Sequence, residues 1–249
     1  MENTLLIGLS RLTTLERQID VISNNVANVN TNGFKADKSL FQEYLMPRAH
    51  ADNFMGRDRQ LSYVMDRATW RDNGQGSLEQ TGNPLDVAIE GKGFFVVNGP
   101  KGPLYTRNGN LKILASGELA SGDGYTMRST AGSTISVAPN KLINITREGN
   151  IQQDGQTLGQ LDVVDFKSTD SLQKAGSATF KNTNPNNPPV AASNVDVQQG
   201  KIEGSNVPVA YSAMRLVGIM RQFEMLQKAI GISSDMDTKS VQEVARVTA

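Results

Sequence analysis

The chain has 249 residues, 25 basic against 25 acidic, one histidine and no cysteine. That length suits one or two domains, and an apolar content of 38% with 6% aromatics gives a real but lean core. Disulfides, thiol nucleophiles and cysteine-ligated metals are excluded. The single His50 cannot build a His-rich metal site or a triad, and zero net charge without a basic block disfavours nucleic-acid binding.

No charged stretch leads into an apolar run with a small-residue cleavage site, so no cleavable secretory signal is expected. The longest apolar runs are too short to span a membrane. Residues 1–32 read as an amphipathic helix, with Asn3 or Thr4 able to cap its first N–H groups. Apolar residues at Leu12, Leu15, Ile19, Ile22, Val26 and Val29 alternate in steps of three and four, the spacing of a coiled-coil seam. The helix runs into an Asn-rich stretch that ends at Gly33. Asn is a poor helix former, because its amide competes for backbone groups. Gly33 can serve as a left-handed stop.

Residues 36–75 read as a partly extended connector, in which His50 is solvated and Trp70 is a packing anchor. The β-rich body, residues 76–198, starts near Gly76. Short apolar runs at 85–89, 94–97, 113–114, 125–127, 135–137, 142–145 and 161–166, set apart by Gly, Asn and Asp, predict an all-β domain. Thr106-Arg107-Asn108-Gly109-Asn110-Leu111 echoes Thr146-Arg147-Glu148-Gly149-Asn150-Ile151, which predicts two similar hairpins. Gly91 and Gly93 are read as tight turns, because no G-x-G-x-x-G opens a helix there.

The stretch from 181 to 198 turns loop-like, and 199–205 reads as a return linker. A second helix spans 206–249, with Asn206 as its cap and Pro208 in its first turn. Its seam is Leu216, Ile219, Phe223, Leu226 and Ile230; Met214, Met220 and Met225 read as adaptable interface filler. The expected fold class is α+β: the helices of 1–35 and 206–249 pair as a coiled coil, with the all-β domain inserted between them. The expected subunit interface comprises Leu12, Leu15, Ile19, Ile22 and Val26 of the first seam and the whole second seam, together with Asn24, Asn25 and Asn28, whose amides can fix register between subunits. No catalytic, metal-binding or cofactor-binding residue is expected, nor any small-molecule substrate.

Four stretches carry a family resemblance. Ile22-Ser23-Asn24-Asn25-Val26-Ala27-Asn28-Val29-Asn30-Thr31-Asn32-Gly33-Phe34-Lys35 is similar to the N-terminal motif of the bacterial flagellar rod and hook proteins. The run Gln80-Thr81-Gly82-Asn83-Pro84-Leu85-Asp86-Val87-Ala88-Ile89-Glu90-Gly91-Lys92-Gly93-Phe94-Phe95, extended by Tyr105-Thr106-Arg107-Asn108-Gly109, resembles that family's central segment. Gln199-Gly200-Lys201-Ile202-Glu203-Gly204-Ser205-Asn206-Val207 resembles the stretch before its C-terminal helix.

The resemblance implies a structural subunit of the flagellar basal-body rod, the hollow shaft that carries torque from motor to hook. It implies an inner layer of terminal helices and an outer β layer. The implied partners are copies of the same chain and other rod proteins. Export through the flagellar type III apparatus without cleavage and a place within the periplasm are implied as well. A secreted adhesin or carbohydrate-binding module would account for the β body but would not need a seam at each end. An enzyme fits poorly, because no nucleophile–base constellation is visible.

Overall fold

A computed structural model describes residues 2–46, 61–139, 141–193 and 195–247. Helix α1 (Glu2–Ala27) opens the chain, eighteen strands follow among the described residues, and helix α2 (Val209–Val247) closes it. The architecture is α+β, and it separates into two compact units. One unit draws on 1–26, 37–70 and 209–249; the other on 27–36 and 71–208.

In the helical unit, α1 starts at Glu2, ahead of the expected Asn3 or Thr4 cap, and stops at Ala27. The Asn-rich stretch beyond forms turns instead of a further helical turn, as Thr31 N donates to Asn28 O (3.1 Å). Helix α2 is unbroken over 39 residues. The helices meet where Gly8 leaves room: a Cβ there would lie 3.0 Å from Ile230 Cδ1. Arg11, Thr14, Leu15 and Gln18 of α1 line one groove with Gln222, Met225, Leu226 and Ala229 of α2. Rising numbers on one helix thus meet falling numbers on the other, so the pair is antiparallel. Of the expected connector, Asp37–Met46 and Leu61–Arg71 form a two-stranded sheet. Trp70 does not anchor a core: it is 48% exposed, with Lys38 Nζ 4.9 Å from its ring centre. The connector supplies too little apolar surface to enclose an indole, so the ring stacks under a cation instead. His50 lies outside the described residues.

The β unit centres on one sheet with strands in the order Leu172–Lys174, Thr179–Asn182, Gly102–Thr106, Phe94–Gly99, Thr126–Met127, Leu119–Ser121 and Leu111–Ile113. Phe94-Phe95-Val96-Val97 is buried on both faces because side chains alternate along a strand. Phe95 and Val97 enter a large core with Val87, Leu119, Met127 and Ile151. Phe94 and Val96 enter a second core with Tyr105, Phe166 and Phe180. In that second core Tyr105 and Phe166 meet edge-on, their centroids 4.8 Å apart, the arrangement that aromatic quadrupoles favour.

The echo at 106–111 and 146–151 is only half a hairpin pair. Ile143–Ile145 does pair with Asn150–Gln153 across the second copy, where Gly149 has φ 82°. The first copy links two strands that pair elsewhere: Gly102–Thr106 with Phe94–Gly99, and Leu111–Ile113 with Leu119–Ser121. Gly109 is required there by space rather than by φ. A Cβ on it would sit 1.6 Å from Val87 O, whose own N–H bonds Gly109 O at 2.9 Å.

The segment expected to be loop-like holds Asp196–Gln199, paired with Val87–Glu90, and the expected return linker holds Lys201–Glu203, paired with Leu78–Gln80. Both were hidden in the sequence because each carries a single apolar residue, Val197 or Ile202, too few to show alternation.

Candidate functional site: a clasp where four motif segments meet

The four motif segments are far apart in sequence and converge at one edge of the β unit. Gly33 follows the turn after Asn28 with φ 69°, and its N–H donates to Glu203 O at 2.8 Å. A Cβ on Gly33 would come within 2.4 Å of the Arg107 backbone carbon, so only glycine lets the two segments approach this closely. Phe34 is buried with Ala36 and Val207, and Lys174 Nζ lies 4.2 Å from its ring centre.

Beneath these contacts lies an ion cluster. Glu203 is fully buried, and Lys35 Nζ donates to its Oε1 at 2.5 Å. Arg107 donates from one terminal nitrogen to its Oε2 at 2.9 Å, and Gly76 N donates to Oε1 at 3.0 Å. Backbone carbonyls take further donors: Gly74 O accepts from Lys35 at 2.7 Å, and Gly91 O accepts from Arg107 at 2.6 Å. Burial pushes the Lys35 ammonium below the ordinary lysine value, and Glu203 pulls the other way. A carboxylate that satisfies two cations and a backbone N–H is expensive to remove, because each partner would remain buried with no counter-charge.

Asn206 is the second tie. It does not cap α2, which begins three residues later at Val209. Its Oδ1 accepts from Ala36 N (2.8 Å), and its Nδ2 donates to Asp72 O (2.8 Å) and Gly74 O (3.0 Å). One amide thereby joins three backbone segments, a use that leaves it unavailable to the helix end.

The other motif residues shape the turns around the clasp. Gly82, Asn83 and Pro84 form an exposed turn; Leu85 is half-buried, and Asp86 is buried and accepts from Asn110 at 2.9 Å. Gly91 and Gly93 have φ 96° and 129°, and the second of them leads into buried Phe94 and Phe95. Gly200 N donates to Asp86 O at 2.7 Å, Ser205 Oγ accepts from Val207 N at 3.3 Å, and Val207 is buried. Lys35, Arg107 and Glu203 were not singled out from the sequence. The signal that could have found them is charge inside otherwise apolar and Gly-rich motifs.

The expected interface residues lie in the helical unit, apart from Asn28, which belongs to the β unit. Ile22 and Ile219 are buried, while Leu12, Leu15, Ile19, Val26, Leu216, Phe223, Leu226 and Ile230 are half-buried. On α1 the covered face is rotated slightly from the expected seam, so that Thr14, Val21 and Asn25 are buried too. Asn25 spends its amide inside the chain: it donates to Asp37 O (2.7 Å) and accepts from Asp37 N (3.0 Å). A strand beginning at Asp37 offers the amide both partners at once. Asn28 is half-buried and accepts from the Thr31 hydroxyl at 3.2 Å; Asn24 is exposed. Met214 and Met225 are among the most exposed apolar side chains of α2.

No described group of three or more His, Asp or Glu could hold a metal ion. No described helix is long and apolar enough to cross a membrane. The clasp ties chain segments far apart in sequence into fixed positions, a structural role.

Comparison with known proteins agrees. Residues 5–35 match the family described as flagella basal body rod protein, residues 88–157 the flagellar hook protein FlgE/F/G D1 domain, and residues 198–243 the flagellar basal body rod FlgEFG protein C-terminal. The flagellar basal-body rod protein FlgF of Caulobacter vibrioides is 29% identical over 249 residues, covering 99% of this chain and 100% of that one. FlgF of Mesorhizobium japonicum is 29% identical, covering 97% and 98%. The rod protein FlgG of a Buchnera aphidicola subspecies is 30% identical over 260 residues, covering 96% and 98%. The chain belongs to the flagellar basal-body rod protein family and is a structural rod protein of the bacterial flagellum. FlgF and FlgG proteins both match it along nearly the whole length.

Proposed function

We propose that the chain is a non-enzymatic subunit of the rod with a FlgF-like, proximal position. It assembles with copies of itself and with other rod proteins into the hollow shaft that transmits torque. Its two helices supply the inner layer around the channel, and the β unit supplies the outer layer. The chain reaches this place within the periplasm through the flagellar type III export apparatus, without cleavage. The observation that carries the reading is the clasp: four family motifs, from residue 33 to residue 207, close on buried Glu203 and half-buried Asn206. A drive shaft needs subunits whose peripheral unit does not yield under load, and buried charge-assisted bonds across distant segments give that stiffness.

An adhesin or carbohydrate-binding module draws support from neither the comparisons nor the site. The test is a chromosomal deletion complemented by a tagged copy. The deletion strain should be non-motile and lack complete rods, and the tagged chain should co-purify with basal bodies at full length. A motile deletion strain, or purified basal bodies without the chain, would overturn the reading.

A further inference from the structure

Beside the clasp, a cavity of about 380 Å³ opens between the 91–94 turn and the 165–169 loop of the β unit. Its walls are cationic: Lys92, Arg107 and Lys167 against a single acid, Asp165. Lys92 and Lys167 are exposed and lie within no carboxylate's reach among the described residues. Asp165 is already engaged, accepting from Phe166 N at 2.8 Å. Arg107 is only 4% exposed, yet its Nε has no hydrogen-bond partner. Behind it, Lys35 and Arg107 share the one Glu203 carboxylate. Polar Asn73, Ser168 and Thr169 share the remaining walls with two aromatic rings: Phe94 and Phe166 meet at 6.2 Å, and the Arg107 guanidinium lies 5.5 Å from the Phe94 ring centre.

A concave site with a few convergent polar groups and an excess of one charge is built for a ligand of the opposite charge. We infer that this cavity is a docking socket for a carboxylate side chain, an Asp or Glu, of the adjacent subunit in the rod. The inference rests on the rod reading and specifies how one face of the β unit engages its neighbour. Lys92 and Lys167 meet the incoming carboxylate at the rim, and the Arg107 cluster behind them supplies the field that holds it. The aromatic walls exclude water and strengthen the attraction. Such a contact fixes the register between subunits, which is where charge complementarity acts most strongly.

Zero-length carbodiimide crosslinking of purified basal bodies, read by mass spectrometry, tests the inference, because it joins an amine only to a carboxylate in contact. Lys92 or Lys167 should be found joined to an Asp or Glu of another chain. The double variant Lys92→Glu/Lys167→Glu should melt like wild type in the full-length chain and lower the number of completed basal bodies at least about tenfold. Detection of the chain in basal bodies establishes the rod reading separately. Given that detection, no interchain crosslink at either lysine, or normal basal-body numbers in the double variant, overturns the socket. If the full-length monomer instead binds acetate or inorganic phosphate at this cavity and no interchain crosslink forms, the site takes a free anion and the partner assignment fails.

Discussion

Lys35 and Glu203 stand 168 residues apart in sequence and 2.5 Å apart in space, both excluded from water. Lys35 lies at the end of the first motif segment and Glu203 lies just before the last helix. Their pair therefore fixes where the chain passes into the β unit and where it leaves. Arg107 reads the other carboxylate oxygen, so the central motif is held by the same side chain.

Replacing Glu203 tests that arrangement directly. Glu203→Leu leaves two cations buried without a counter-charge, and the full-length chain should lose roughly 3–5 kcal/mol in urea melts. Glu79, exposed on the neighbouring strand, is the control: Glu79→Gln should stay within about 0.5 kcal/mol. Equal melting of the two variants would mean that the ion cluster contributes nothing to the fold.

The same cluster predicts a pH dependence. Burial lowers the pKa of Lys35 from its ordinary value of 10.5, with Glu203 opposing the shift. Between its folded value and 10.5 the unfolded chain binds more protons than the native one, so this group adds stability as pH rises through that window and withdraws it as pH falls. Measured against Lys35→Met, wild type should gain relative stability from neutral toward alkaline pH. A difference that stays flat, or falls with rising pH, would contradict the burial argument.

The helices and the first strands were legible because their patterns are local. The 3,4 spacing on α2 reappears as its row of covered positions, and Phe94-Phe95-Val96-Val97 announced a strand buried on both sides. The clasp was harder to see. Lys35, Arg107 and Glu203 obey no shared period, and a charge in an isolated window is ordinarily a solvated one. Only the pairing of Lys201–Glu203 with Leu78–Gln80 brings them together, and that pairing lies in a stretch too polar to show alternation. Asn206 misled for a related reason. An Asn just ahead of a helix is a common cap, but the backbone of Ala36, Asp72 and Gly74 offered its amide better-matched partners.

Two glycines separate space from conformation. Gly109→Ala places a Cβ 1.6 Å from the Val87 carbonyl oxygen, which no side-chain movement can relieve. The full-length chain should lose more than about 4 kcal/mol or fail to fold, a cost that marks a backbone collision. Gly82 has φ 71° but open space around its Cβ position, so Gly82→Ala meets only the left-handed penalty of about 1–2 kcal/mol. If the two variants melt alike, the close approach of the 106–111 link to Val87 is wrong.

Phe223 decides the role of the seam. It sits half-buried on the covered stripe of α2, between buried Ile219 and half-buried Leu226, whereas Met214 is 70% exposed on the same helix. A charge at Phe223 would have to lose its hydration when the helices pack. Phe223→Asp should therefore abolish motility and completed rods, while near-ultraviolet circular dichroism of the full-length chain keeps the signals of Tyr105 and the β-unit aromatics. Met214→Asp isolates the outer face: a carboxylate there is fully hydrated in the single chain, so its monomer should melt within about 0.5 kcal/mol of wild type. Loss of motility in Met214→Asp would then mean that neighbouring subunits cover this face too, which is the arrangement an inner helical layer requires. A motile Phe223→Asp strain with normal basal bodies would remove the seam from the assembly, and the inner-layer role of the helices with it.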